Sequence, residues 1–387
     1  MLTAAASEVA TVPSPITVEQ VGEAAAFSDL RQEWADLLEA SESDCIFLTW
    51  EWLHTWWKHL AGERRLAILA TRRGRKLVGL APFCLQPRSL SRARPFSVLE
   101  FLGSGFAGSD YLDVIVRKGS DAEARQALTS WLSARRLPLK LTNVKQGGSA
   151  AAGILTGLQK KGWSTAETRT NICPFIPLAG ATWSSYLASL SAEHRYTFNR
   201  KWRCLERDYD VRFEQAHTPE QCREAIDLLI AQHNSRWRAR GGSDAFHTPD
   251  LVAFHREWTQ VALRRGWLRL YVLRLNEKPA ACLYGLLYRG TFYFYQSSFD
   301  AGYLRASAGL VAMGLAIRSA IGEDAVEYDL LHGGETYKSH WSRHSRDLAR
   351  LESFPPGGVG ALCRLSVELG RTSRALARTM KSRGPSE

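Results

Sequence analysis

The chain has 387 residues, enough for two to three domains of ordinary size. Its 45% hydrophobic and 23% charged composition excludes fibrous, collagen-like and wholly disordered classes. Fifty Lys and Arg against thirty-nine Asp and Glu give +11, and residues 364–387 alone carry +4, which describes a basic enzyme with a basic tail rather than a dedicated nucleic-acid binder.

The elements follow in chain order. Residues 1–14 read as a disordered start, 16–21 as a strand, and 27–40 as a helix with Leu30, Trp34, Leu37 and Leu38 on one face. FLTWEWLHTWWKHL is a second helix, with Thr49 as its N-cap and Gly62 as its stop. The tryptophans at 50, 52, 56 and 57 fall at helical spacing, which favours core packing over a carbohydrate platform. Residues 66–85 read as a hairpin turning at 72–76. Strands at 98–102, 111–116 and 139–144, helices at 122–136 and 150–161, and an extended segment at 163–178 complete a first unit.

The pattern then restarts. Helices are expected at 183–209, 219–240 and 251–265, then three antiparallel strands with turns at 276–278 and 289–290. A helix at 310–321, a strand at 326–331, a short helix near 337–341 and a strand near 348–354 follow. The hairpins at 66–85 and 268–287 match at an offset of 202, with Gly74 facing Asn276, so the chain reads as two copies of one α/β unit. The expected division is 1–14, 15–178, 179–355 and a basic helical tail at 356–387.

Seven scattered cysteines without C-x-x-C spacing imply neither a disulfide framework nor a zinc knuckle, and fit a reducing cytoplasm. No signal peptide is legible, and the longest uncharged apolar stretch, 306–317, falls short of the roughly 20 residues a bilayer span needs. A soluble protein is expected. His340 and His344 are four apart without a third ligand, so no metal is expected. There is no G-x-S-x-G elbow, and Ser307 has no evident base, which leaves a covalent route unsupported.

The richest segment is 291–341. A strand ends near Asp300, and Arg305, Ser307, Ala308 and Gly309 open a helix whose N-terminal amides and dipole suit a pyrophosphate; an ordinary Gly-bearing helix start is the alternative. Asp329 and Glu335 are candidate general bases, although Asp329 in its apolar strand also reads as a buried structural carboxylate. Lys338 reads as an anion anchor. Arg195 lies on a basic helix, HRYTFNRKWRCLER, and Arg236 and Trp237 lie in NSRWRARGG; these are candidate substrate contacts or solvated helix faces.

SFDAGY, SAGLVAMGLAIRSAI and VEYDLLHGGETYKSHW resemble the GNAT acyltransferase branch often called cellulose-biosynthesis-like, related to Fem-type aminoacyl transferases. FLTWEWLHTWWKHL, GSDYLDVIV, SLSAEHRYTFNRKWRCLERDYDVRFE and GWLRLYVLRLNEKPAA resemble it too, so the likeness spans about residues 27–354. The resemblance implies an α/β fold of two tandem GNAT-like domains, each a mixed, mainly antiparallel sheet flanked by helices. It also implies an acyl-CoA donor such as acetyl-CoA, cradled at 305–309, and an amine or hydroxyl acceptor in cell-envelope or exopolysaccharide biosynthesis. On the resemblance Tyr337 would protonate the departing thiolate; four residues from Trp341, it also reads as a packing residue on one helix face. Acids in GSDAEARQAL argue against donor binding in the first copy.

Two other function classes stay open: a Fem-like transferase using aminoacyl-tRNA, and a non-catalytic scaffold for polysaccharide assembly. In the tail, Arg371, Arg374, Arg378 and Lys381 share a helix face, either a solvated end or a contact to an anionic membrane surface that would place a cytoplasmic enzyme at the inner membrane.

Overall fold

The computed structural model describes residues 15–88, 96–238 and 245–368. The first half runs β1 (Ile16–Val21), α1 (Ala24–Asp29), α2 (Arg31–Glu39), α3 (Trp50–Leu60), β2 (Arg65–Leu66), β3 (Ile68–Arg73), β4 (Lys76–Ala81), β5 (Phe83–Gln86), β6 (Val98–Phe101), β7 (Ile115–Val116), α4 (Asp121–Arg135), β8 (Leu139–Lys145), α5 (Ala150–Lys160) and β9 (Ser164–Pro177). The second half runs α6 (Trp183–Ser189), α7 (Ala192–Asp208), β10 (Val211–Gln215), α8 (Pro219–Arg238), α9 (Pro249–Arg264), β11 (Leu268–Leu275), β12 (Lys278–Tyr288), β13 (Thr291–Phe299), α10 (Ala308–Gly322), β14 (Glu327–Asp329), α11 (Thr336–Trp341) and β15 (His344–Phe354). A further helix covers 358–368; the tail cations Arg371, Arg374, Arg378 and Lys381 lie outside the described residues.

Local chemistry explains most boundaries. Thr49 caps α3 by accepting from the Trp52 amide. The single helix expected over 183–209 is two, because Leu190 is extended and Ser191 caps α7 at the His194 amide. The matched hairpins turn through left-handed residues at equivalent places, Gly74 (φ +59) in one and Asn276 (φ +50) with Glu277 (φ +67) in the other. Helices and mixed, antiparallel-rich sheets make the α/β fold expected from the sequence, with β6∥β8 and β13∥β14 as corresponding parallel pairs.

The sheets do not respect the expected boundary at 178/179. Four strands form one sheet in the order β1-β3-β4-β7, and eleven form another, β10-β11-β12-β13-β14-β9-β15-β8-β6-β5-β2. β9 of the first half pairs with β14 of the second (Tyr328 opposite Ile176). β15 of the second half enters the first, between β9 and β8 (Leu351 opposite Glu167 and Leu141). Each half thus borrows a strand from the other.

The strand expected at 111–116 is the other departure. β6 and β7 pair along the continuous line of β5 and β4 (Phe83 opposite Phe101, Leu80 opposite Ile115), so they are two pieces of one strand. Residues 102–114 leave it as an excursion through left-handed turns at Gly103, Gly105, Gly108 and Tyr111. At the equivalent place in the second half, Tyr284 faces Gln296 and Gly285 faces Phe294, which leaves Tyr295 as a one-residue bulge.

One core cluster spans both halves. Trp52 is fully buried, meets Trp258 edge-on at 4.9 Å, and donates from its indole nitrogen to Ser109 in the excursion at 2.8 Å. Trp56 is also buried, in accord with core packing for these tryptophans. Cleavage of the exposed link at 179–182 is therefore expected to leave both fragments in one particle on size exclusion. Separate elution of two cooperatively unfolding halves would contradict the shared sheet.

Candidate active site

β13 and β14 are parallel neighbours only over Thr291–Tyr293 and Glu327–Asp329. β13 then continues to Phe299, while the other chain turns away through Leu331 (φ +55). Among the described residues β13 has no strand partner on that side beyond Tyr293, so its backbone edge is open. A cavity of about 380 Å³ occupies the splay. Phe294, Tyr295 and Gln296 form one wall, at the bulge, and Leu330, Leu331 and His332 form the other. Glu335, Tyr337 and Lys338 close one end, and Gly105, Phe106, Gly108 and Asn143 of the first half close another. Amides freed from a ladder at a bulge are donors suited to a carbonyl oxygen that gains charge during acyl transfer.

The sequence candidates divide. Glu335, Tyr337 and Lys338 all line this cavity. Lys338 is not a free anchor: it is buried, donates to the His332 carbonyl oxygen at 2.8 Å and pairs with Glu335 at 3.0 Å, stapling the 331–335 loop. Gly333 (φ +129) makes room for that staple, since a Cβ there would meet Glu335 Oε2 at 2.2 Å. Tyr337 lines the cavity while staying 42% exposed, and its hydroxyl is pushed up by partial desolvation and by Glu335, so it is protonated at neutral pH.

Asp329 does not line the cavity. It is fully buried, accepting from the Tyr111 hydroxyl at 2.6 Å, the Leu331 amide at 2.8 Å and Arg346 at 3.2 Å. Burial pushes its carboxyl up to about 7 against the lowering pull of Tyr111 and Arg346. The buried structural carboxylate is the reading its surroundings support.

Arg305, Ser307, Ala308 and Gly309 sit beyond the far end of β13, away from this cavity. Ser307 (φ +59) leaves the α10 N-terminus without a side-chain cap, Arg305 is exposed, and its carbonyl oxygen accepts from Lys201 of α7 at 2.9 Å. α7 lies along α10, where Gly314 admits the Phe198 ring; a Cβ would stand 2.1 Å from it. Arg236 stacks over Phe299 at 4.5 Å, and Arg195 donates to the Ala188 carbonyl oxygen rather than entering the cavity. The side chain of Trp237 lies outside the described residues. In the first half, Asp121 and Glu123 occupy the first turn of α4, and Glu123 pairs with Arg73.

His332 and Asp110 escaped the sequence reading. Asp110, fully buried in the excursion, accepts from the His332 amide at 2.8 Å and lies 2.8 Å from its Nδ1. This bond raises the His332 imidazole above its ordinary range. The only signals were an aspartate in a glycine-rich stretch and a histidine before Gly-Gly, 222 residues apart.

Residues 192–339 match the family model of the acetyltransferase (GNAT) domain. No curated protein matches the sequence. The fold is similar to the crystal structure of FemX, with a TM-score of 0.60 at 12% identity over 84% of this chain and 96% of that one. It is also similar to the C-terminal domain of a putative lysylphosphatidylglycerol synthetase from Agrobacterium fabrum (TM-score 0.51, 11% identity, 89% and 96%). A third likeness is to L-PGS from Bacillus licheniformis (TM-score 0.51, 8% identity, 88% and 95%). The fold is thus two similar α/β units in tandem, the second of which carries the matched acetyltransferase (GNAT) domain. No helix among the described residues is long and apolar enough to cross a membrane, and no group of three or more His, Cys, Asp or Glu is placed to hold a metal.

Asp329 gives a pH signature. Its folded value near 7 lies above the unfolded value of about 3.9, so the folded chain holds a proton that the unfolded chain has released. Stability should fall as pH rises through that window and level off above it. In urea unfolding at pH 4 to 7, Asp329→Asn should lose up to one proton's worth of this slope; an unchanged slope would contradict the assignment.

Proposed function

We propose that the chain transfers an acyl group from acyl-CoA to an amine or hydroxyl by direct attack in the splay cavity. The observation that carries this reading is the conjunction of an open strand edge, a bulge and a polar cavity where β13 and β14 part. The acyl thioester would lie along β13, its carbonyl oxygen toward the bulge, and the CoA pyrophosphate would meet the uncapped α10 N-terminus at Arg305–Gly309. Tyr337 would protonate the leaving thiolate. The first half, with acids at the start of α4, would bind no donor and would shape the acceptor end instead.

Aminoacyl-tRNA as donor is the second reading. The outward face of α7 favours it, with Arg200, Arg203 and Arg207 exposed beside an exposed Tyr196. Cell-envelope or exopolysaccharide acceptors rest on the motif resemblance. Exposed Val359, Leu362 and Leu365 on the 358–368 helix, leading into the basic tail, support an anionic membrane surface as a partner.

Titration calorimetry with acetyl-CoA separates the donors: micromolar binding is expected, and binding of tRNA alone would favour the second reading. Arg305→Glu should weaken acetyl-CoA binding by about tenfold or more; unchanged affinity would move the pyrophosphate elsewhere. Tyr337→Phe should lower kcat while affinity stays within about twofold, because a general acid acts mainly in the transition state. Lost affinity with normal turnover would make Tyr337 a donor contact.

A further inference from the structure

We propose that His332 is the general base of the transfer and that Asp110, carried across from the first half, is the residue that positions it. This rests on the acyl-transfer reading above. The geometry is that of a base and its orienter. His332 lines the cavity with its side chain 40% exposed, while Asp110 beneath it is fully buried. Both hydrogen-bond donors that Asp110 meets on this residue, the backbone amide and Nδ1, are fixed by one carboxylate. A carboxylate only accepts, so in the neutral ring Nδ1 carries the proton and Nε2 keeps its lone pair. The ring is held close to the excursion, since a Cβ on Gly108 would stand 3.8 Å from its Cε1.

In the step itself, Nε2 takes the proton of the acceptor N–H or O–H as that atom bonds to the thioester carbonyl carbon. The tetrahedral oxyanion collapses, the C–S bond breaks, and the sulfur leaves with the electron pair. Tyr337 protonates the thiolate and is reprotonated at the expense of the imidazolium, so the net transfer is one proton from acceptor to thiol. Asp110 remains ionised and stabilises the imidazolium, as the third member of a nucleophile–base–orienter set does. Of the other charged groups near the ring, Glu335 and Lys338 oppose one another and are paired together, which leaves Asp110 as the dominant influence. The first half would then be catalytic in a limited sense: it binds no donor but supplies the group that aims the base.

Two measurements test this. The first needs no substrate: nitrogen NMR should find neutral His332 protonated on Nδ1. In Asp110→Asn the side chain has one acceptor oxygen for two donors. If the amide oxygen keeps the backbone N–H, its NH2 faces Nδ1, and the proton should move to Nε2. The second is thiol release from acetyl-CoA with glucosamine as acceptor, followed against pH. His332→Ala should lower kcat by about 10²–10⁴-fold with acetyl-CoA affinity within about twofold, and added imidazole should restore part of the rate in proportion to its free base. Asp110→Asn should lower kcat/KM and shift its acidic limb to lower pH, because the carboxylate that raises the imidazole is gone. Wild-type His332 protonated on Nε2, or His332→Ala at the wild-type rate, overturns the proposal. Absence of acetyl-CoA binding by the wild type overturns the acyl-CoA reading alone, and the tautomer measurement still decides the dyad.

Discussion

The ladder between β9 and β15 is the constraint on which the rest depends. It runs from His344 opposite Phe175 to Phe354 opposite Ser164, with one irregularity, and it joins strands from opposite halves of the chain. Because β9 also carries β14 and β15 also carries β8, this pair welds two repeated units into a single sheet. An internal strand leaves no exposed N–H row on either side, so neither unit can shift against the other without breaking backbone hydrogen bonds in the core. That rigidity lets a carboxylate from one unit meet a histidine from the other at 2.8 Å.

The two units also show how one structural position can serve two purposes. Where the second has a single-residue bulge at Tyr295, the first opens into the 102–114 excursion. The bulge frees backbone amides beside a cavity. The excursion crosses the interface and brings Asp110 to His332, Tyr111 to Asp329 and the Ala107 carbonyl oxygen to the Tyr295 hydroxyl. One copy keeps an open edge suited to a reacting group, and the other has become its support.

Much of this was legible in the sequence because it is local. Turn residues, caps and the matched hairpins announce themselves within a few positions, and Glu335, Tyr337 and Lys338 are close together in the chain. The strand exchange was not legible, because nothing in the β15 sequence specifies which neighbours it pairs with. The pairing of Asp110 with His332 was hidden for a related reason. An aspartate among glycines is the ordinary composition of a solvated loop, and nothing near it in the chain reveals that the loop is buried against a distant strand. Asp329 erred the other way: a carboxylate in an apolar strand beside catalytic-looking neighbours drew attention, yet its partners consume it.

The place of β15 bears on how the protein is made. Its slot between β8 and β9 stays empty on the ribosome until the second half has been made, although both flanking strands lie in the first half. The nascent first half must wait with both edges of β9 and one edge of β8 unpaired, the kind of surface that recruits wrong partners. Closing the gap makes the longest-range strand pairing in the described fold, which places it among the slow events of folding. A truncated or stalled chain would therefore expose an incomplete first unit rather than a finished one, and would be a natural client for chaperones.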